Sequence, residues 1–259
     1  MRYFVGGRGR EPLVLVHGLG GGASNWVALA PLLARRRRVL VPELPGHGAS
    51  SPLPAVPNLS VCADRVAFLA EREGLAPAFF VGHSLGALVA LRLAIRHPAA
   101  ASGLVLAGAA GISSTARRAK LALELLGIVH PSRWFARFRH EIARYPRLRY
   151  LPFGHWLTAD PASLSPDVVE GFLGPPTLHT DTVSVARAMV LDDPRTDLAQ
   201  LHCPTLILWG ARDNQLPVED AFDYARRLNA PLRLIADCGH LLIGERPDLC
   251  AEAIEDFLS

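Results

Sequence analysis

Along the chain, short apolar runs closed by turn residues alternate with longer stretches in which apolar positions recur at helical spacing. Six runs read as strands: Leu13 to Val16, Val39 to Val41, Phe79 to Val81, Leu104 to Leu106, Thr205 to Leu208 and Leu232 to Ile235. Five of them are continuous apolar segments, which suits strands covered on both faces, as in a parallel sheet. Helical spacing appears at roughly Ala63 to Arg72, Leu85 to Arg96, Val218 to Leu228 and Pro247 to Leu258. The last opens on a proline, where a missing N–H costs little. This alternation predicts an α/β fold with a mostly parallel central sheet flanked by helices. Between Gly111 and about Leu191 the rhythm breaks: Arg, aromatic residues and Pro accumulate and no strand-like run occurs. A structureless loop of that length would be anomalous in a compact domain. Residues 111–191 are therefore expected to form a helical insertion that splits a core made of residues 1–110 and 192–259.

Length changes this picture little. At 259 residues the chain can bury one full core, and two independent domains are not expected. Half of the residues are hydrophobic and no run reaches about 18 apolar positions, so stable membrane insertion is not expected. The N-terminus turns at Gly6-Gly7 without the apolar stretch of a secretory signal, which points to the cytoplasm. The four cysteines stand singly, in neither a zinc-binding spacing nor a disulfide framework, and are expected to be reduced thiols. A net charge of +3 is too small to argue for nucleic acid; the run Arg35 to Arg38 reads as a solvated helix end.

Candidate chemistry concentrates at strand ends. Gly82-His83-Ser84-Leu85-Gly86 follows one predicted strand and opens a predicted helix, the context that gives G-x-S-x-G its meaning. Glycines there let a strand turn sharply into a helix, leaving the Ser84 hydroxyl exposed in a strained conformation. A serine nucleophile needs a base, and the base an orienting acid. Asp213 follows the strand Thr205 to Leu208, and His240 follows Leu232 to Ile235, which gives the order Ser, Asp, His. Asp237 is the weaker alternative acid, being only three residues from His240. After the first strand, His17-Gly18-Leu19-Gly20-Gly21-Gly22 supplies a backbone that can approach a substrate closely. The Leu19 and Leu85 amides are the expected oxyanion donors. No phosphate-binding glycine signature occupies that turn.

These segments together, with Glu43-Leu44-Pro45-Gly46-His47-Gly48-Ala49-Ser50, Trp209-Gly210-Ala211-Arg212-Asp213 and Glu245-Arg246-Pro247, resemble the α/β-hydrolase superfamily over residues 1–110 and 192–259. The short N-terminus is read as omitting that family's first edge strand, and Glu43 stands where the family more often has Asp. The resemblance implies a cofactor-independent serine hydrolase with a helical cap. Its expected substrate is a small-molecule carboxylic ester of small to medium size, and its expected assembly a monomer or homodimer. Haloalkane dehalogenases and epoxide hydrolases look for Asp at the position of Ser84. Hydrolases that cleave carbon–carbon bonds usually carry Trp after the catalytic His, where this chain has Leu241. That branch stays open beside enol-lactonases, thioesterases and cofactor-free haloperoxidases, as does a binding protein, lyase or cyclase that reuses the pocket. Trp134, Phe138, Phe153 and Trp156 are candidate substrate contacts in the cap, where an arginine could also pair a substrate carboxylate. The plainer reading is that the cap's aromatics dock it on the core and its arginines face water. Because a histidine base must be neutral, activity is expected to rise with pH through the ordinary histidine range near about 6.5.

Overall fold

A computed structural model of the chain describes residues 1–53, 58–113, 131–175 and 178–259. Seven strands form one sheet: β1 (Tyr3–Gly7), β2 (Pro12–Val16), β3 (Arg38–Pro42), β4 (Ala78–His83), β5 (Ala101–Ala107), β6 (Thr205–Gly210) and β7 (Leu232–Ile235). Their order is β1-β3-β2-β4-β5-β6-β7. All neighbours run parallel except β1, which is antiparallel to β3. The sequence reading had no strand ahead of Leu13. Tyr3–Gly7 lies on the sheet edge with Phe4 and Val5 exposed, so it lacks the buried apolar run by which the other strands are recognised.

Alternate residues of the inner strands feed two cores. Val14, Val16, Phe80, Leu104, Leu106, Ile207 and Trp209 face one side, packed with the helices Leu59–Arg72 and Leu85–Arg96. Leu13, Leu15, Val81, Val105, Leu206 and Leu208 face the other, against Trp26, Leu29, Leu33 and the helix Pro247–Leu258. The period of two built into a pleated strand thus sorts one unbroken apolar run onto two faces. The helix expected from Ala63 begins earlier, at Leu59, because the Asn58 side chain accepts from the Ser60 amide and caps it.

Between β5 and β6 the described residues form helices and turns and no strand. The longer helices are Pro131–Arg137, Pro166–Leu173 and Thr182–Leu191. Ile142, Phe153, Leu164 and Val168 make a small core of their own that closes on Leu241. The Arg149 guanidinium is buried there with no acidic partner among the described residues, donating to the carbonyls of Ala143, Ala162 and Leu164. Burial lowers its pKa. Both ends of this segment are fastened. At the start, Tyr224 Oη–H donates to the Ala110 carbonyl and Ser113 Oγ–H to Asp220. At the end, Arg92 on the helix Leu85–Arg96 pairs with Asp192 and Asp197. Arg117 and Arg118, also expected in the insertion, lie outside the described residues. All four cysteines are unpaired.

Candidate active site

β2 and β4 are neighbours, but the chain leaves β2 toward β3 on one side and β4 toward β5 on the other. The crevice beyond their C-terminal ends is where such sheets hold ligands. Gly18–Gly22 and Ser84 both lie there.

Ser84 joins β4 to the helix Leu85–Arg96 with φ 55° and ψ −117°, a backbone conformation that L side chains rarely adopt. Packing enforces it. A Cβ at Gly86 would lie 2.0 Å from the Val16 carbonyl oxygen, and one at Gly82 would lie 2.4 Å from the Ala87 Cα. Only glycines on both sides let strand and helix approach this closely. The Ser84 amide donates to the Ala107 carbonyl at 2.9 Å, and the Ser84 carbonyl accepts from Ala110 at 3.2 Å, so the turn is also pinned to the end of β5.

Asp213 and His240 meet across the loops that follow β6 and β7. Asp213 Oδ2 accepts from His240 Nδ1–H at 2.7 Å, while Oδ1 accepts from the amides of Gln215 at 2.9 Å and Leu216 at 2.8 Å. Both side chains are almost sealed from solvent. A carboxylate can only accept, so Nδ1 carries a proton and Nε2 is the ring nitrogen turned away from Asp213. Asp237, the alternative acid, points into solvent and pairs with Arg212.

His83 and Gly108 connect this pair to the serine. His83 Nε2–H donates to the His240 carbonyl at 2.8 Å, and the two rings lie 5.0 Å apart. Burial, reinforced by His240 nearby, lowers the His83 pKa to about 3, so the ring is neutral. A Cβ added at Gly108 would lie 3.4 Å from His240 Nδ1. Among the described residues, Ser84 Oγ has no hydrogen-bonded partner.

The loop after β2 is held from behind. His17 Nδ1–H and the Gly21 amide both donate to the Gly18 carbonyl, at 2.8 and 3.2 Å. That carbonyl and the Leu19 N–H belong to one planar peptide and point in opposite directions. Fixing the carbonyl therefore fixes the direction of the Leu19 N–H. Neither the Leu19 nor the Leu85 amide has an acceptor among the described residues. His17 Nε2 accepts from the Leu44 amide at 3.0 Å, and burial lowers its pKa to about 4.

Glu245 joins the histidine loop to the insertion. Its carboxylate accepts from the Gly239 amide at 3.1 Å and from the Ala159 amide at 2.8 Å, and burial raises its pKa. Sequence reasoning placed Glu245 in a motif without giving it work, because its partners are main-chain groups that carry no residue signature. His179 follows no strand, so nothing in the sequence marks it. Its ring meets two glycine loops, a contact that no local pattern reveals.

The candidate substrate contacts are dispersed. Phe153 is buried in the insertion's core beside Leu241. Trp134 and Phe138 stack on each other at 5.1 Å with both side chains exposed, and Trp156 is exposed as well.

Two relatives have comparable length. The chain is 32% identical over 254 residues to the pimeloyl-[acyl-carrier protein] methyl ester esterase of Aromatoleum aromaticum, covering 96% of this chain and 98% of that protein. It is 30% identical to the 2-hydroxymuconate semialdehyde hydrolase of Pseudomonas sp. strain CF600, covering 96% and 87%. It is also 29% identical to the dihydrolipoyllysine-residue acetyltransferase component of the acetoin cleaving system of Pseudomonas putida, but spans only 66% of that protein's length. Among solved structures, a hydrolase from Pseudomonas aeruginosa PA01 superposes with a TM-score of 0.79 at 26% identity, over 99% of this chain and 93% of that one. The model of the alpha/beta hydrolase family matches residues 13–253, and the chain belongs to that family.

Proposed function

We propose that the protein is a serine hydrolase that cleaves a carboxylic ester through an acyl-enzyme. The observation that carries this reading is the buried Asp213–His240 pair beside a strained Ser84. His240 Nε2 takes the proton of Ser84 Oγ as that oxygen attacks the ester carbonyl carbon. The carbonyl oxygen becomes negative and is met by the Leu19 and Leu85 amides, each worth roughly 3 kcal/mol in such sites. The tetrahedral intermediate collapses and the alcohol leaves with the proton from His240. Water, activated by the same ring, then releases the acid and restores Ser84. Asp213 holds the ring in the required tautomer and stabilises it while it is protonated.

Residues 111–191 act as a cap over the crevice and shape the acyl site. Support for this comes from the fastened junctions at Ala110, Ser113 and Arg92, and from the small core that closes on Leu241, next to His240. The methyl ester esterase relative favours an ester substrate. A second reading, hydrolysis of a carbon–carbon bond, draws on the likeness to the semialdehyde hydrolase. Turnover of p-nitrophenyl esters of graded chain length, set against a dienoic ring-fission product, separates the two. Ester turnover abolished by Ser84→Ala supports the first reading. Turnover of the ring-fission product alone would replace it with the second.

A further inference from the structure

Gly20 adopts φ +70° in the loop after β2, and among the described residues nothing beyond its chain neighbours lies within 4 Å of where its Cβ would be. Two imidazoles grip its backbone. Its amide donates to His47 Nε2 at 3.0 Å, and its carbonyl accepts from His179 Nε2–H at 2.8 Å. His47 belongs to the loop after β3 and closes on its own strand end by donating from Nδ1 to the Pro45 carbonyl at 3.0 Å. His179 comes from the far end of the insertion, and its other nitrogen, Nδ1, accepts from the Gly48 amide at 3.1 Å.

We propose that His179 is a positioning residue for the oxyanion loop, so that seating the insertion on the core sets the direction of the Leu19 amide. The proposal rests on the reading of Ser84 as an acyl-transfer nucleophile.

Three observations support it. First, the docking is local and dense: the Thr180 and Asp181 amides both donate to the Gly46 carbonyl at 3.0 Å, and Thr180 Oγ1–H donates to the Ser50 carbonyl at 2.9 Å. The segment around His179 is thus laid against the loop after β3, leaving His179 as its reach toward the loop after β2. Second, the work requires one neutral ring with a donor on one nitrogen and an acceptor on the other. Burial and the nearby Arg133 both lower the His179 pKa, which favours that form. Third, the ring completes a row of three: His17 and His47 lie 5.0 Å apart with tilted planes, and His47 and His179 lie 5.2 Å apart edge to face. Each ring holds a main-chain group of the loop after β2, at Gly18 or Gly20, and each also holds one of the loop after β3. Leu19 lies between the two gripped glycines, so release at Gly20 loosens the turn whose Gly21 amide helps to hold the Gly18 carbonyl and leaves His17 alone to fix the peptide that carries the Leu19 N–H.

Three variants divide the two jobs of the ring. Asn at 179 places its oxygen near Nδ1 and keeps the Gly48 bond but stops short of Gly20. Gln reaches the Nε2 position and can donate to the Gly20 carbonyl. Phe keeps the ring volume and loses both bonds. The readouts are the rate of phosphonylation by a fluorophosphonate, kcat and KM for a p-nitrophenyl ester, and Tm. Both chemical rates depend on the oxyanion hole, whose complete loss of one donor costs a factor of about 100 to 1,000. We expect His179→Asn to lower both rates roughly tenfold or more, with KM within about twofold and Tm close to the parent. His179→Gln should recover most of the loss, and His179→Phe should be at least as impaired as Asn. Parent-like rates in His179→Asn would overturn the proposal and leave the Ser84 reading standing. So would Asn and Gln losses that simply track a fall in Tm, the mark of a docking anchor. If the parent protein itself is not phosphonylated at Ser84, the Ser84 reading fails and the proposal falls with it.

Discussion

Asp213 and His240, 27 positions apart in the chain, meet at 2.7 Å inside the protein, and the second carboxylate oxygen is held by two backbone amides. An acid held in this way can only accept, which fixes the proton on Nδ1. Asp213→Asn would present an amide that can donate, turning the ring toward the tautomer with Nε2 protonated. The expected result is a loss of kcat on the order of 1,000- to 10,000-fold at neutral pH with little change in fold. Asp237→Asn, which alters only the exposed pair with Arg212, should leave kcat unchanged. Steady-state kinetics of the two variants side by side check this.

Packing at the serine turn gives a second expectation. Gly86→Ala drives a methyl group against the Val16 carbonyl, where 2.0 Å is available, and both strand and helix must shift. A destabilisation of about 1–3 kcal/mol is expected, read as a Tm lower by several degrees. Gly6→Ala, where nothing lies within 4 Å and φ is ordinary, should change stability by less than about 0.5 kcal/mol.

Acid should weaken the fold. His17 is held at about 4 and His83 at about 3 in the folded protein, against an ordinary value of 6.5. Below pH 6.5 the unfolded chain takes up protons that the folded chain refuses, so stability rises with pH in this window. The contribution of the neutral rings is complete above about 6.5 and is lost as pH falls toward 4 and then 3. Thermal unfolding in buffers from pH 7 to pH 4 should show a falling Tm. His83→Gln, which can still donate to the His240 carbonyl, should flatten part of that slope. A Tm independent of pH across the window would contradict the neutral, buried assignment.

Glu245 ties the histidine loop to the segment between β5 and β6, beside the Leu241 amide that donates to the Leu157 carbonyl. Glu245→Ala leaves the Gly239 and Ala159 amides without their shared acceptor, and a loss of about 1–3 kcal/mol is expected in urea unfolding. Glu245→Gln keeps one accepting oxygen and should fall between Ala and the parent. An alanine variant as stable as the parent would show that water serves both amides equally well.

Much of this arrangement was legible in the chain, for a definite physical reason. Strands buried on both faces must be continuously apolar, so Leu13 to Val16 and Leu104 to Leu106 announce themselves, and His17, Ser84 and Asp213 follow the ends of three strands of this kind. The Asp213–His240 contact could be anticipated because Asp213 follows one such strand, β6, and His240 follows β7, an edge strand marked by Leu232, Leu234 and Ile235 although Arg233 interrupts it. What stayed hidden was carried by main-chain groups or by exposed positions. Tyr3–Gly7 pairs through its backbone while Phe4 and Val5 stay in solvent. Glu245 and His179 act on amides and carbonyls, which have no sequence signature. Arg149 buries its charge against three carbonyls, whereas its composition-level neighbours are solvated. The aromatics of the insertion could not be sorted either, because Phe153 and Trp156, three positions apart, differ only in which way their turn faces.

The central claim is that Ser84 is the nucleophile, and it is tested most directly by incubating the protein with a fluorophosphonate and locating the adduct by peptide mass spectrometry. The expected result is one phosphonyl group per chain on Ser84, with ester turnover lost in step with labelling and both absent in Ser84→Ala. Labelling at another residue, or ester turnover that persists in Ser84→Ala, would contradict it.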